Sequence, residues 1–522
     1  MPIIARIKKG EYFDSVTLMT VGRKLASLEG VEDAAIVMGT KENRSILENA
    51  GLMAPEFREA VDSDLLIAVK AKTQEAAEAA ALAADAELLA TRKRKSSGGG
   101  CEPKPRSLEA GVKALPGANM VVISVAGRYA GEEARKALEA GLHVMLFSDN
   151  VSLETEIELK KLAKSKGLLC MGPDCGTAII NGAPLGFANA VERGSVGMVA
   201  AAGTGLQEVS SIVSCEGAGV SQAIGTGGRD VKKDVGGIMF IEGLKALARD
   251  QETKVLLLVS KPPHESVLKE LKAELKKIKK PVVAVFLGAQ EGALADCGAG
   301  VIQAKTLEEA AVAAAALSKA GPKKALAEAK TVFELYAKEE QGLARGEAKK
   351  LKKGRRFIRG LYSGGTFCAE AQIIFGDLSP LFSNAPAGQG RKLGDSLKSE
   401  GHSVVDLGED EFTVGRPHPM IDFSLRNRRI LDEAKDPETA VVLLDVVLGW
   451  GSNMKPAEEL APVVKEAAGK VCVVATVTGT DKDPQGKQAV IEALEEAGAV
   501  VRPTNASACR LALEIVKLGA RQ

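Results

Sequence analysis

Residues 194–230, GSVGMVAAAGTGLQEVSSIVSCEGAGVSQAIGTGGRD, read as a buried strand, a glycine turn, a helix and a second glycine turn. Val196 to Ala200 is a short apolar run of the kind that fills a parallel strand. Gly203 and Gly205 allow a sharp turn, because a residue without Cβ tolerates backbone angles closed to others. Leu206, Val209 and Val213 then recur on one helical face, and Gly217 suits the stop. Such a turn aims the free N–H groups of a helix N-terminus at the sheet edge, which makes a site for an anion; an ordinary βα turn is the alternative.

The unit recurs. LYSGGTFCAEAQII, from Leu361, places Gly365, Thr366 and Glu370 at the spacing of Gly203, Thr204 and Glu208. DQETKVLLL from Asp250 is matched by DPETAVVLL from Asp436. The second copy is longer, with its extra residues around Leu378 to Gly401. A repeated strand–turn–helix unit predicts two similar α/β domains. Pseudo-symmetric packing of the two would bring both helix N-termini towards one anion.

Composition narrows the possibilities. The 522 residues suit about three to five domains. Lys plus Arg (69) nearly balances Asp plus Glu (68), so neither nucleic acid nor a membrane is an expected partner. Aromatic residues are only 3% of the chain while Gly numbers 55, which suits tightly packed α/β layers. Imidazole chemistry is limited to four candidates, His143, His264, His402 and His418. The eight cysteines lie singly, with no CxxC pair. Cys170 and Cys175 are the nearest two, and no further Cys or His completes a metal set, so reduced, buried thiols and no metal are expected. The first residues lack the apolar core of a signal peptide, and no apolar run approaches membrane-spanning length. A cytoplasmic location is the expectation.

In chain order, residues 1–95 read as a small ferredoxin-like α/β domain with a part missing. Its strands are Ile3 to Ile7, Val31 to Met38 and Leu65 to Val69; its helices lie around Leu18 to Leu28 and from Thr73 to about Leu89. Thr91 to Arg106 is a basic linker. Residues 107–192 alternate strands (Met120 to Val125, His143 to Phe147, Leu168 to Met171) with helices (Gly131 to Ala140, Leu153 to Lys166). This is a truncated Rossmann-like domain, since no GxGxxG loop follows an early strand. The loops after its strands, with Gly127, Arg128 and Tyr129, with Asp149 and Asn150, and with Asp174, fall at the ligand-binding edge of such a sheet. Asp149 has a helix cap as its alternative role, and Asp174 a Gly-Pro turn. Residues 193–320 hold the first repeat, 321–355 a charged connector and 356–522 the second repeat. The second repeat carries DLGEDEFTVGRPHPM from Asp406, in which prolines stiffen the loop around Arg416 and His418. It also carries the turn Leu448 to Asn453 and a polar turn from Thr478 to Lys487, neither spaced as a Walker A loop.

These motifs resemble the alpha subunit of succinyl-CoA synthetase. MGPDCGTAII resembles that family's GPN-C-PG turn, with Asp174 in place of Asn. GMVAAAGTGLQE resembles its strand and Ser-Gly-Thr helix start, and GTGGRD its next glycine turn. The second repeat resembles the carboxy-terminal ligase domain of the beta subunit. The whole plan is similar to the FdrA family, over nearly all of the chain. MLFSDNVSLETEIELKK, MGPDCGTAI and DEFTVGRPHPMID carry that match. Two departures stand out. Where the synthetase relays phosphate through a histidine, Phe286 to Gly300 here reads FLGAQEGALADCGAG, without His. The glycine loop that cradles CoA is missing too.

The resemblance therefore implies a subunit of a carbamoyltransferase in ureide (allantoin) catabolism, interconverting oxalurate plus phosphate with oxamate plus carbamoyl phosphate. Co-encoded partner subunits and an oligomer are implied, with no cofactor and weak or absent CoA binding by this chain alone. Phosphate is expected on Ala202, Gly203, Thr204 and Gly205, on Gly364, Gly365 and Thr366, and on Gly451, Ser452 and Asn453. Arg229, Asp230, Asn150 and Asp174 are expected to bind substrate. Arg416 is the expected carboxylate partner and His418 the expected proton carrier. An acyl-CoA synthetase completed by partner chains, and a non-catalytic scaffold, are the alternatives.

Overall fold

The computed structural model describes residues 2–11, 13, 15–26, 28–40, 43–44, 47–48, 50–96, 105–298, 300–413 and 417–520. They form two compact units: Met1–Arg106 with Asp410–His418, and Ser107–Glu409 with Pro419–Gln522. Among the described residues no helix is long and apolar enough to cross a membrane.

In the N-terminal unit β1 (Ile3–Lys8), β2 (Val31–Met38) and β3 (Leu65–Ala71) make an antiparallel sheet in the order β1-β3-β2. The helices Ser15–Ala26 and Gln74–Ser96 cover one face. Leu18, Val21 and Leu25 meet Leu65, Ile67 and Val69, and the small Ala77, Ala80, Ala81 and Ala84 let the long helix lie close. Arg6 and Lys8 share Asp85 of that helix.

The large unit begins with a parallel sheet of β4 (Met120–Ile123), β5 (His143–Leu146) and β6 (Cys170–Met171). The hairpin β7 (Thr177–Ile180) and β8 (Ala183–Gly186) follows. The first repeat then contributes β9 (Arg193–Ala200), β10 (Val220–Gly225), β11 (Val255–Ser260), β12 (Val282–Phe286) and β13 (Val301–Ala304). The second contributes β14 (Phe357–Tyr362), β15 (Leu381–Ser383), β16 (Arg391–Lys392), β17 (His402–Asp406), β18 (Thr439–Val447), β19 (Cys472–Thr478) and β20 (Val500–Arg502).

The repeat seen in the sequence is a repeat of topology. The first sheet runs β13-β12-β11-β9-β10-β7-β8 and the second β20-β19-β18-β14-β17-β15-β16. Five parallel strands correspond one to one. The longer second copy uses its extra residues to build β15 and β16, where the first sheet places the hairpin β7–β8. That hairpin lies within 107–192 by sequence but pairs with β10, so it closes the edge of the next sheet. Strand patterning reveals that a segment is a strand and not which sheet will take it.

The Rossmann-like region differs from the sequence reading in a second way. Its first helix spans Gly127–Glu139, starting at the residues read as a loop. A Cβ on Gly127 would lie 2.3 Å from the Asp149 carbonyl oxygen and 2.4 Å from that of Asn150. The glycine lets the helix start press against the neighbouring loop.

Close approach also fixes the first repeat, where a Cβ on Gly219 would lie 2.6 Å from the carbonyl oxygen of Arg193. Gly219→Ala should therefore destabilise the large unit by about 1–3 kcal/mol, read as a fall in melting temperature. An unchanged melting temperature would show that this crossing relaxes freely.

Candidate functional site

The two Gly-Thr turns touch. The helix Gly203–Cys215 follows β9 and starts at Ala202; the helix Gly365–Ile374 follows β14 and starts at Gly364. Neither start is capped by a side chain, so the first N–H groups of both are left without that partner. A Cβ on Gly364 would lie 2.6 Å from Thr204 Cγ2, and one on Gly205 would lie 3.0 Å from Thr366 Cγ2. Glycine at both positions is what lets the turns meet, 160 residues apart as they are in sequence. Thr204 and Thr366 are buried in the contact, while Gly203 is exposed and Gly365 half-buried. The positive ends of two helix dipoles are thus brought side by side.

Behind the turns lies a lattice of buried acids. Glu208 accepts from Asn505 N–H (3.0 Å) and from the Thr478 hydroxyl, both in the second repeat. Glu370 accepts from Leu307 N–H (2.8 Å) in the first repeat and from Asn505 Nδ2 (2.8 Å). Leu307 and Asn505 open the last helices of their repeats, Leu307–Lys319 and Asn505–Gly519. Each repeat's glutamate therefore satisfies the orphan amide of the other's last helix. Glu308 joins in, accepting from the Thr504 hydroxyl and pairing with Arg510 (2.8 Å). Burial raises all three carboxyls, and Glu370 reaches about 7.

The other residues singled out by sequence divide into groups. Asp230 is fully buried: its Oδ1 pairs with Lys160 (2.8 Å) and its Oδ2 accepts Phe240 N–H (2.7 Å) at the start of the helix Ile238–Arg249. Lys160 also reaches Glu156 (2.7 Å) and the Thr226 carbonyl (2.8 Å). Burial opposes its charge, but Asp230 and Glu156 outweigh that and hold its pKa above the ordinary value. Arg229 is partly exposed and pairs through Nε with Glu156 (2.8 Å), while donating to the Val151 carbonyl. The pair 229–230 thus joins the Rossmann-like region to the first repeat. Asn150 and Asp174 are exposed at the carboxyl edge of β4–β6, both with φ of 53°.

The turn that holds Gly451, Ser452 and Asn453 packs against the segment after β8 through Gly449, Trp450 and Gly451. A Cβ on Gly451 would lie 3.1 Å from Phe187, and Trp450 N–H donates to the Ala188 carbonyl (3.0 Å). Asn453 is spent locally, its side chain on the Ile421 carbonyl (3.1 Å) and Lys455 N–H (2.8 Å). His418 is half-buried and belongs to the N-terminal unit; Arg416 lies outside the described residues. Surface cavities beside Lys164 and Lys245, and beside Glu339 and Arg502, do not involve the turns.

Sequence reasoning passed over the acids that support the second turn. Ser363, just before Gly364, donates through N–H and hydroxyl to Asp445 (2.8 Å each). Asp445 is fully buried against Arg426. Asp406 ends β17 beside Gly365. Both acids end or lie within near-continuous apolar strands, and that interruption was the available signal. Among the described residues no cluster of three or more His, Cys, Asp or Glu is arranged to hold a metal. The described cysteines are free, and all but Cys215 are buried.

The chain is similar to several known proteins. Residues 361–515 match the CoA-ligase family, and residues 1–105 match the AllF heavy metal-associated domain. That N-terminal segment has no His and one Cys, Cys101. The alpha 1 subunit of an ADP-forming succinate–CoA ligase from Archaeoglobus fulgidus is 30% identical over 203 residues, covering 36% of this chain and 67% of that one. A dinucleotide-forming acetyl-coenzyme A synthetase 1 from Ca. Korarchaeum cryptofilum overlays with a TM-score of 0.33 at 16% identity, over 78% of this chain and 85% of that chain. Fold and paired turns define an acyl-CoA synthetase-like protein of the succinyl-CoA ligase type. Within that class the chain is 39% identical over 521 residues to YahF of Escherichia coli, an uncharacterized protein, spanning 98% of both. It belongs with YahF to the FdrA-like family.

Because Glu370 holds its proton to about pH 7 in the fold but only to its ordinary 4.5 when unfolded, the native state binds the extra proton between those values. Stability from this group should fall as pH rises through that window. Glu370→Gln should flatten this part of the melting-temperature profile. Glu208→Ala should cost about 1–3 kcal/mol for each buried donor left unpaired, read in the same melts.

Proposed function

We propose that this protein is a subunit of a carbamoyltransferase that interconverts oxalurate plus phosphate with oxamate plus carbamoyl phosphate. The observation that carries the reading is the contact of Thr204 with Gly364, which brings two uncapped helix N-termini to one place. Helix N-termini favour phosphate through free N–H groups and aligned dipoles. In the phosphorolytic direction a phosphate oxygen attacks the ureido carbonyl of oxalurate. The C–N bond breaks, the electron pair goes to the oxamate nitrogen, and that nitrogen takes a proton. The reaction needs an anchored phosphate and a held carboxylate, and it needs neither a phosphohistidine nor CoA. This fits a chain whose segment Phe286 to Gly300 has no histidine. The AllF-type N-terminal domain supports a place in ureide breakdown, and the subunit naming of the succinate–CoA ligase relative supports partner chains.

The CoA-ligase match favours a second reading, an acyl-CoA synthetase completed by partner subunits. CoA affinity separates the two: micromolar binding of CoA to this chain in calorimetry would favour the synthetase.

Turnover of carbamoyl phosphate and oxamate, with and without co-encoded partners, is the direct assay. Gly203 offers a clean variant, since nothing lies within 4 Å of a Cβ built there. Gly203→Asp should fold normally and lose phosphate binding, because it sets a negative charge where the anion belongs. Retained phosphate affinity in that variant would remove the turns from the site. His418→Ala and Arg416→Lys test the proline-rich loop: a fall in turnover of ~10²–10⁴ in the first would assign the proton to His418 and not to an acid beside the turns, and the second should raise the Michaelis constant for the carboxylate substrate. Full activity of both would make that loop structural.

A further inference from the structure

The carboxyl end of β17 brings one more group to the turns. Asp406, its last residue, is 4% exposed. Asn384 clamps its backbone from both sides: Asp406 N–H donates to Asn384 Oδ1 and Asn384 Nδ2 donates to the Asp406 carbonyl, each at 2.8 Å. One carboxyl oxygen, Oδ1, accepts Gly408 N–H at 2.9 Å. The other, Oδ2, makes no hydrogen bond to any described residue and lies 2.5 Å from where a Cβ would stand on Gly365. An unpartnered oxygen of a nearly buried acid therefore faces the first residue of the helix whose N-terminus is read as the anion site.

We infer that Asp406 is the hydrogen-bond donor and proton carrier of this anion site, acting as a neutral acid that donates through Oδ2 to an oxygen of a bound phosphate or acyl phosphate. The inference rests on the anion-site reading of the two turns. A charged carboxylate here would repel the anion, whereas the neutral acid adds a donor to those of the helix start. The surroundings keep the neutral form populated near neutrality. Burial pushes Asp406 up to about 7; Gly408 N–H and Lys261 pull it down, and Glu409 and Asp445 push it up. The Cys368 thiol also lies within its field and is itself pushed up by burial, so it stays neutral. In the proposed transfer the acid gives its proton to the oxamate nitrogen as the C–N bond breaks. The carboxylate so formed takes the proton of the attacking hydrogen phosphate, and no other reactant is needed.

Sulfate is the probe, because it does not titrate near neutrality as phosphate does. Calorimetric titration at constant ionic strength should show wild-type affinity at least ~5-fold higher at about pH 6 than at about pH 8. Asp406→Asn should bind sulfate equally at both, as tightly as wild type at the lower pH. Lys261→Met, at an exposed position, should move the wild-type transition to higher pH, because the cation that favours the charged form is gone. Sulfate binding by wild type that ignores pH, or an unaltered pH dependence in either variant, overturns the role of Asp406 alone. No sulfate binding by wild type at either pH overturns the anion site and the inference with it.

Discussion

Two glutamates, Glu208 and Glu370, hold the large unit together by each completing the other repeat's last helix. The first turn of a helix presents N–H groups that its own backbone cannot satisfy. Buried, such groups cost free energy unless something accepts from them. Here the acceptor for Asn505 comes from the first repeat and the acceptor for Leu307 from the second. Neither repeat is therefore internally satisfied, and the pair is the structural unit. The contact of Thr204 with Gly364 follows from this, because the glutamates stand one turn or so further along the same two helices.

Exchange of caps has an electrostatic consequence. It gathers Glu208, Glu308 and Glu370 into a buried group, while Asp406 ends β17 and Asp445 lies within β18, both buried. Burial favours the uncharged form of a carboxyl and so moves several of these acids towards neutral pH. Acids so perturbed cluster at functional sites more often than elsewhere. By contrast, the buried charges around Lys160 are matched: two carboxylates, one carbonyl and Arg229 compensate each other between the Rossmann-like region and the first repeat. The first group can respond to pH.

This chain combines a double-domain core, similar in sequence to CoA ligases, with two further parts. The sheet β4–β6 has three strands, and the Gly127 helix start presses against the 149–150 loop. An N-terminal unit of the AllF type precedes it.

Much of this was legible in the sequence because it is local or periodic. The alternation of apolar runs located strands such as Val31–Met38, and the shared spacing of Gly203, Thr204 and Glu208 with Gly365, Thr366 and Glu370 disclosed the duplication. A repeated glycine implied a close approach without saying to what. Tertiary structure alone decided the rest. That the hairpin after Cys175 joins the next sheet, that Asp230 is a buried cap and ion-pair partner, and that Asp406 looks onto Gly365 are all facts about residues distant in sequence. A side chain's period tells which face it occupies, but its charge state and its partner are fixed by what the fold packs against that face.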